Sequence, residues 1–153
     1  MDGAAIAPRP VQSPLEVWLG GRARSELRRV GRLGDGWLPS FCTPEDVVAG
    51  RPVVEAEAAA AGRAMDPEHW GALVPYLVQE GPLPEPLVAA VTARRPDGDP
   101  AAVVPAGMPA LRSAVDAFIG VGVSKFVLVP VVEPEDWAGH LAEVADATLD
   151  LVT

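Results

Sequence analysis

Short unbroken apolar runs alternate with longer stretches of helical spacing along this chain, and that alternation leaves few folds open. Phe126 to Val132 is an uncharged run of Val, Leu and Phe around one proline, the pattern of a strand covered on both faces. The acids Glu133-Pro134-Glu135-Asp136 then open a helix expected to turn Trp137, Leu141, Val144 and Thr148 inward. Upstream, Leu15 to Leu19 reads as a strand stopped by Gly20-Gly21, and Ala23 to Leu33 as a helix with Ala23, Leu27, Val30 and Leu33 on one face. Arg24, Arg28 and Arg32 form the opposite, solvated stripe.

Gly36-Trp37-Leu38 is a brief second strand, and Thr43-Pro44-Glu45-Asp46 supplies a cap, a proline and first-turn acids for a helix reaching toward Gly62. Pro52 is expected to kink or split that helix. Trp70 to Val78 is a third extended run, with Pro75 as its weak point, and a helix follows through Leu87 and Val91 to Arg95-Pro96. A loop from Pro96 to Pro105 precedes a helix presenting Leu111, Val115, Phe118 and Ile119. Strands alternating with helices imply a parallel sheet with right-handed crossovers, either an open doubly wound sheet or a piece of a closed barrel.

With 153 residues, one domain spanning the whole chain is expected, and 49% hydrophobic residues suffice for a packed core. The net charge of −9 repels polyanions and argues against nucleic acid as a partner. No stretch approaches the length of a membrane span, so a membrane partner is not expected and a cytoplasmic location is. Cys42 is the single cysteine, which excludes an internal disulfide, and no Cys/His spacing suits a metal.

The turn Gly20-Gly21-Arg22 lies between a strand and a helix N-terminus, where free backbone N–H groups and the helix dipole favour an anion. A tight turn would need the glycines on steric grounds alone. Arg22 is the charged candidate, with Arg24 and Ser25 as neighbours. Trp37, Pro39, Ser40 and Phe41 follow the second strand and are placed to wall a cofactor or substrate cavity, although Trp37 equally suits the core. Tyr76 could offer its hydroxyl to the same cavity or turn its tip to water. His69 precedes its strand and belongs to the opposite face. His140 lies off the apolar stripe of the last helix and is expected to be exposed. No residue is assigned a catalytic role, and Cys42 reads as an inert thiol.

The stretch from Pro8 to Pro39 resembles the luciferase-like flavin and deazaflavin monooxygenase superfamily. The resemblance rests on Pro8, Pro10, Gln12, Pro14, Val17, Trp18, Gly20 and Gly21, then Arg32-Leu33-Gly34-Asp35-Gly36-Trp37 and Pro39. The later Gly122 to Pro130 is similar to the family's final barrel strand. The resemblance implies the C-terminal half of a (β/α)8 TIM barrel, strands five to eight, with Met1 starting in the middle of a family member. It also implies coenzyme F420 as cofactor, with flavin mononucleotide (FMN) as the alternative, hydride transfer to a small organic substrate, and the cofactor phosphate at Gly20-Gly21-Arg22.

Two functions stay open: a fragment or split subunit of an F420-dependent oxidoreductase, inactive alone, and a non-catalytic half-barrel acting by association. Four strands cut from a barrel leave two unpaired edges, so a homodimer or association with a missing N-terminal half is expected.

Overall fold

A computed structural model describes residues 7–96 and 98–151. The ends of the expected domain, residues 1–6 and 152–153, and Asp97 in the Pro96–Pro105 loop lie outside the described residues. The element order is β1 (Trp18–Leu19), α1 (Arg24–Leu33), β2 (Gly36–Trp37), α2 (Pro44–Ala60), β3 (Gly71–Tyr76), α3 (Glu85–Arg94), α4 (Met108–Gly120), β4 (Lys125–Pro130) and α5 (Trp137–Thr148).

Both ladders are parallel, β1 with β2 and β3 with β4. Bridges from Trp37 to Trp70 and from Ser40 to Leu73 join them, so the strands lie side by side in chain order. The βα alternation read from the sequence is therefore present, laid out as one parallel arrangement with helices between the strands.

Several expected elements are trimmed. Of Leu15 to Leu19 only Trp18–Leu19 is strand, because the facing β2 is itself two residues long and a ladder cannot outrun its partner. Pro75 does not weaken β3, which pairs along all six residues with β4. Pro52 neither kinks apart nor splits α2, which runs unbroken from Pro44 to Ala60. Its ring is solvent-exposed, and buried Val47, Val54 and Ala58 anchor the helix on both sides of the missing N–H.

The α5 expectation also needs correcting. Its buried positions are His140 and Thr148, with Val144 half-buried, whereas Trp137 and Leu141 are 46% and 58% exposed. The helix is rotated because the Tyr76 hydroxyl holds His140 Nε2 at 2.6 Å beneath it. His140 is thus buried, not exposed.

The core lies between the strands and the helix layer, built from Leu27, Val30, Trp37, Val47, Val54, Trp70, Val74, Leu111, Val115 and Phe118. On the other face of the sheet the Trp18 indole lies over Gly36, where a Cβ would collide with its rings, and close to Gly71, where a Cβ would meet Leu38 first at 2.7 Å and the indole at 3.2 Å. Farther along that face Val127 and Val129 are 42% and 37% exposed. A sheet carrying helices on one side and bare valines on the other is half of a two-layer plan.

Candidate anion site at the first strand-helix turn

After β1 the chain makes the turn Gly20-Gly21-Arg22 and enters α1. Gly21 has φ +99°, a conformation that only glycine adopts freely. Trp37 Nε1 donates to the Gly21 carbonyl at 2.9 Å and fixes the turn to the next strand. The N–H groups of Arg22 and Ala23 both donate to Glu26 Oε2, at 2.9 and 2.8 Å. Two donors of the helix N-terminus therefore already hold a carboxylate, at the spacing of a capping-box glutamate. A phosphate at this turn would have to displace Glu26.

A cleft of about 330 Å³ opens beside the turn, lined by Gly21, Arg22, Ala23, Glu26, Ser40, Phe41 and Arg94. Its far wall follows from β2. Phe41 carries φ +49°, which is costly for a residue with a side chain and aims its carbonyl at Arg95 Nη1, 3.2 Å away. The Arg94 guanidinium carbon sits 5.5 Å above the Phe41 ring. Beneath the cleft, Asp46 Oδ2 accepts from Arg95 Nη1 at 2.5 Å, with Arg22 Nη1 at 3.7 Å. Arg95 Nε is buried with no hydrogen-bond partner among the described residues. Three guanidinium groups against the carboxylates Glu26 and Asp46 give the cleft a surplus of positive charge, in a chain that is acidic overall.

Burial works against ionisation of Asp46, but the N–H of Thr43, the hydrogen bond from Arg95 and the nearby Arg22 together hold its carboxyl below the ordinary aspartate value. A depressed folded-state pKa means that the stabilisation from Asp46 is complete above the unfolded value near 3.9 and is lost as pH falls through the lower folded one. We expect Asp46→Asn to lower the melting temperature at neutral pH and to flatten its decline in acid, measured by thermal denaturation from neutral pH down to pH 3. A parallel decline in both proteins would show that Asp46 carries none of it. Burial pushes the nearby Cys42 thiol up to about 12, so it stays protonated, as an inert thiol should.

The structure gathers Gly21, Arg22 and Ser40 at the cleft, leaves Gly20 in the turn but outside the lining, and removes three other expected residues. Trp37 is 1% exposed and acts from behind, through Gly21, without lining the cleft. Pro39 is buried, its carbonyl accepting from Leu73 N–H. Tyr76 turns neither to the cavity nor to water: strand alternation sends it with Ala72 and Val74 into the helix layer, onto His140. Arg24 and Ser25 are exposed on α1, with Arg24 over the groove toward α2. His69 lies at the opposite ends of the strands, its Nδ1 2.8 Å from the Asp35 carbonyl.

Sequence reasoning missed Glu26, Asp46, Arg94 and Arg95 as a group. Glu26 was recoverable from its place three residues after Ala23; Arg95 was not, since it meets Asp46 across 49 residues of chain. A second cleft, of about 410 Å³, lies past the ends of β3 and β4 among Glu133, Glu135, Asp136, His140 and Glu143. No lysine or arginine lines it, so its charge is unfavourable for an anion. Among the described residues no cluster suits a metal ion, and no helix is long and apolar enough to cross a membrane.

Residues 1–82 match the family described as luciferase-like monooxygenase. The fold is similar to that of the coenzyme F420 dependent tetrahydromethanopterin reductase from Methanopyrus kandleri, with 16% identity over 92% of this chain and 52% of that one, at a TM-score of 0.64. An F420-dependent secondary alcohol dehydrogenase, solved with an F420-acetone adduct, has 16% identity over 85% of this chain and 47% of that one, at 0.59. Monooxygenase RslO1 from Streptomyces bottropensis has 18% identity over 95% and 51%, at 0.56. The chain spans about half the length of these structures.

Proposed function

This chain belongs to the luciferase-like monooxygenase family, and we propose that it is the cofactor-phosphate half of an oxidoreductase that uses coenzyme F420, with FMN as the alternative. In this reading its strands are the fifth to eighth of a (β/α)8 barrel. The observation that carries the reading is the arginine-walled cleft at Gly20-Gly21-Arg22, which opens at the carboxyl ends of the strands where barrels build their sites. Arg22 and Arg94, both in the cleft lining, fit a phosphate. When bound, the deazaflavin supplies two-electron hydride transfer; this chain's own residues bind and orient its phosphate end. One wall of a cavity does not hold donor and acceptor in near-attack geometry, so turnover on a small organic substrate requires a completing half.

Glu26 sets the strength of that binding. Its carboxylate sits on the N–H groups a phosphate would use and repels the incoming charge. Titrating the purified chain with coenzyme F420 and with FMN, followed by fluorescence, should give saturable binding. Arg22→Ala should weaken it by about tenfold or more, the worth of a hydrogen bond to a charged group. Glu26→Gln should tighten it several-fold. No binding of either cofactor by both the unaltered chain and Glu26→Gln overturns the reading. The occupied turn would then favour the second reading, a half-barrel that works through association.

A further inference from the structure

We propose that the bare sheet face and both sheet edges are the binding surface for a second copy of this chain, which closes an eight-stranded barrel around a two-fold axis. The inference rests on the half-barrel geometry and not on the cofactor. The carbonyls of Val17 and Leu19 accept from Asp35 and Leu38, so the backbone groups of Glu16, Trp18 and Gly20 point to the open side of β1. At the other edge Lys125 and Val131 donate to Trp70 and Tyr76, which turns the backbone of Phe126, Leu128 and Pro130 outward. Among the described residues each edge is an unpaired row.

The register across the strands fixes how the rows meet. Leu19 is level with Trp37, Trp37 with Trp70, and Gly71 with Lys125, so one row runs Leu19, Trp37, Trp70, Ser124. A (β/α)8 barrel has a shear of eight, a displacement of about eight residues for one full circuit along such rows. Two-fold symmetry splits it into about four per copy. The row leaving Ser124 therefore enters the second copy at Leu15, because a displacement the other way would land on Ala23, at the start of α1. Lys125 then lies beside Glu16 of the second copy, Phe126 beside Val17, Val127 beside Trp18 and Leu128 beside Leu19. In this phase Phe126 N–H faces the Glu16 carbonyl and Leu128 N–H faces that of Trp18. Pro130, with no N–H, ends the ladder.

The helix layer has matching ends. α1 exposes Arg24, Arg28, Arg29 and Arg32 against one acid, Glu26. The opposite end carries Glu133, Glu135, Asp136, Glu143 and Asp146, with no lysine or arginine from 133 to 148. Closure sets the basic end of one copy beside the acidic end of the other, twice, and covers the exposed Trp137 and Leu141. Among the described residues of one chain Lys125 and Glu16 hold loose partners, Lys125 Nζ at 3.5 Å from Glu68 and Glu16 at 3.2 Å from Trp18 Nε1 and 3.8 Å from His69 Nε2.

The test is sedimentation of the full chain at micromolar concentration in low salt, where the expected mass is twice 15.9 kDa. Lys125→Glu and Glu16→Lys should each weaken the dimer by roughly tenfold, since each places a like charge at two sites. The double variant should return to within about threefold of the original. Raising the salt should also weaken the dimer. Both residues are surface-exposed, and circular dichroism checks that each variant folds. A monomer overturns the proposal, as does a dimer indifferent to the two reversals or one without rescue in the double variant. A monomer that nonetheless binds coenzyme F420 would sink the pairing and leave the cofactor reading standing.

Discussion

Replacing Trp37 with alanine is expected to cost about 3–5 kcal/mol, the range for removing a large buried aromatic side chain. Trp37 is 1% exposed and meets Trp70 edge-on at 6.1 Å between ring centroids. Its indole tip lies against Gly50 of α2, where an added Cβ would come within 2.6 Å of the ring. Truncation opens a cavity where the strands meet α2 and frees the Gly21 carbonyl. A domain this size has about 5–15 kcal/mol of net stability in total, so the variant should lose a large share of its denaturant midpoint. Trp37→Phe should lose less, keeping the ring contact but not the hydrogen bond to Gly21. It therefore separates packing from turn fixation: chemical denaturation reads the first and cofactor titration the second. Equal stability of Trp37→Ala and the unaltered chain would mean that this part of the core is not packed as described.

Gly31→Ala is expected to be nearly as damaging, at about 2–3 kcal/mol or more from overpacking, although it adds a single methyl group. Gly31 lies where α1 crosses α2, and its added Cβ would press on the Val54 carbonyl oxygen, with Glu57 Cβ at 2.8 Å and Ala58 N at 2.9 Å. Two of these are backbone atoms of a helix, which cannot step aside singly. The helices must separate, and buried Val30 and Val54 lose contact with them. Gly120 at the end of α4 is the control, since a Cβ there meets nothing within 4 Å. Gly120→Ala should be neutral or stabilising by about 0.5–1 kcal/mol, the ordinary advantage of alanine in a helix. Thermal denaturation of the pair checks this, and equal effects would count against the close crossing.

Much of the βα order was legible because it depends on local terms. The Thr43-Pro44 start, the Val/Leu run of β4 and the spacing of Leu111, Val115 and Phe118 each act within a few residues. The motif around Gly20-Gly21 and Gly34-Asp35-Gly36-Trp37 likewise carried the family, which the match over residues 1–82 shows. The site was legible only in outline. Gly21 and Arg22 are neighbours in sequence and stay neighbours in the cleft, and Ser40 joins them because it follows the adjacent strand.

What only the tertiary structure decided are the partners of polar side chains and the direction each apolar face takes. Asp46 read as a helix-start acid until Arg95 arrived from the end of α3 to pair with it. Tyr76 and His140, 64 residues apart, form a buried pair that rotates α5, bringing His140 inward in place of Trp137 and Leu141 while Val144 and Thr148 keep their inward side. Periodicity marks an apolar stripe but not which neighbour covers it. One buried hydrogen bond, costly to leave unmade, outweighs the partial exposure of Trp137 and Leu141. The sequence alone therefore determined the strand and helix order and the glycine turn, since both follow from backbone preferences within a short window. Pairing across the fold determined which charges stand at the cleft, because electrostatic and hydrogen-bond energies depend on distances that close only when distant segments pack.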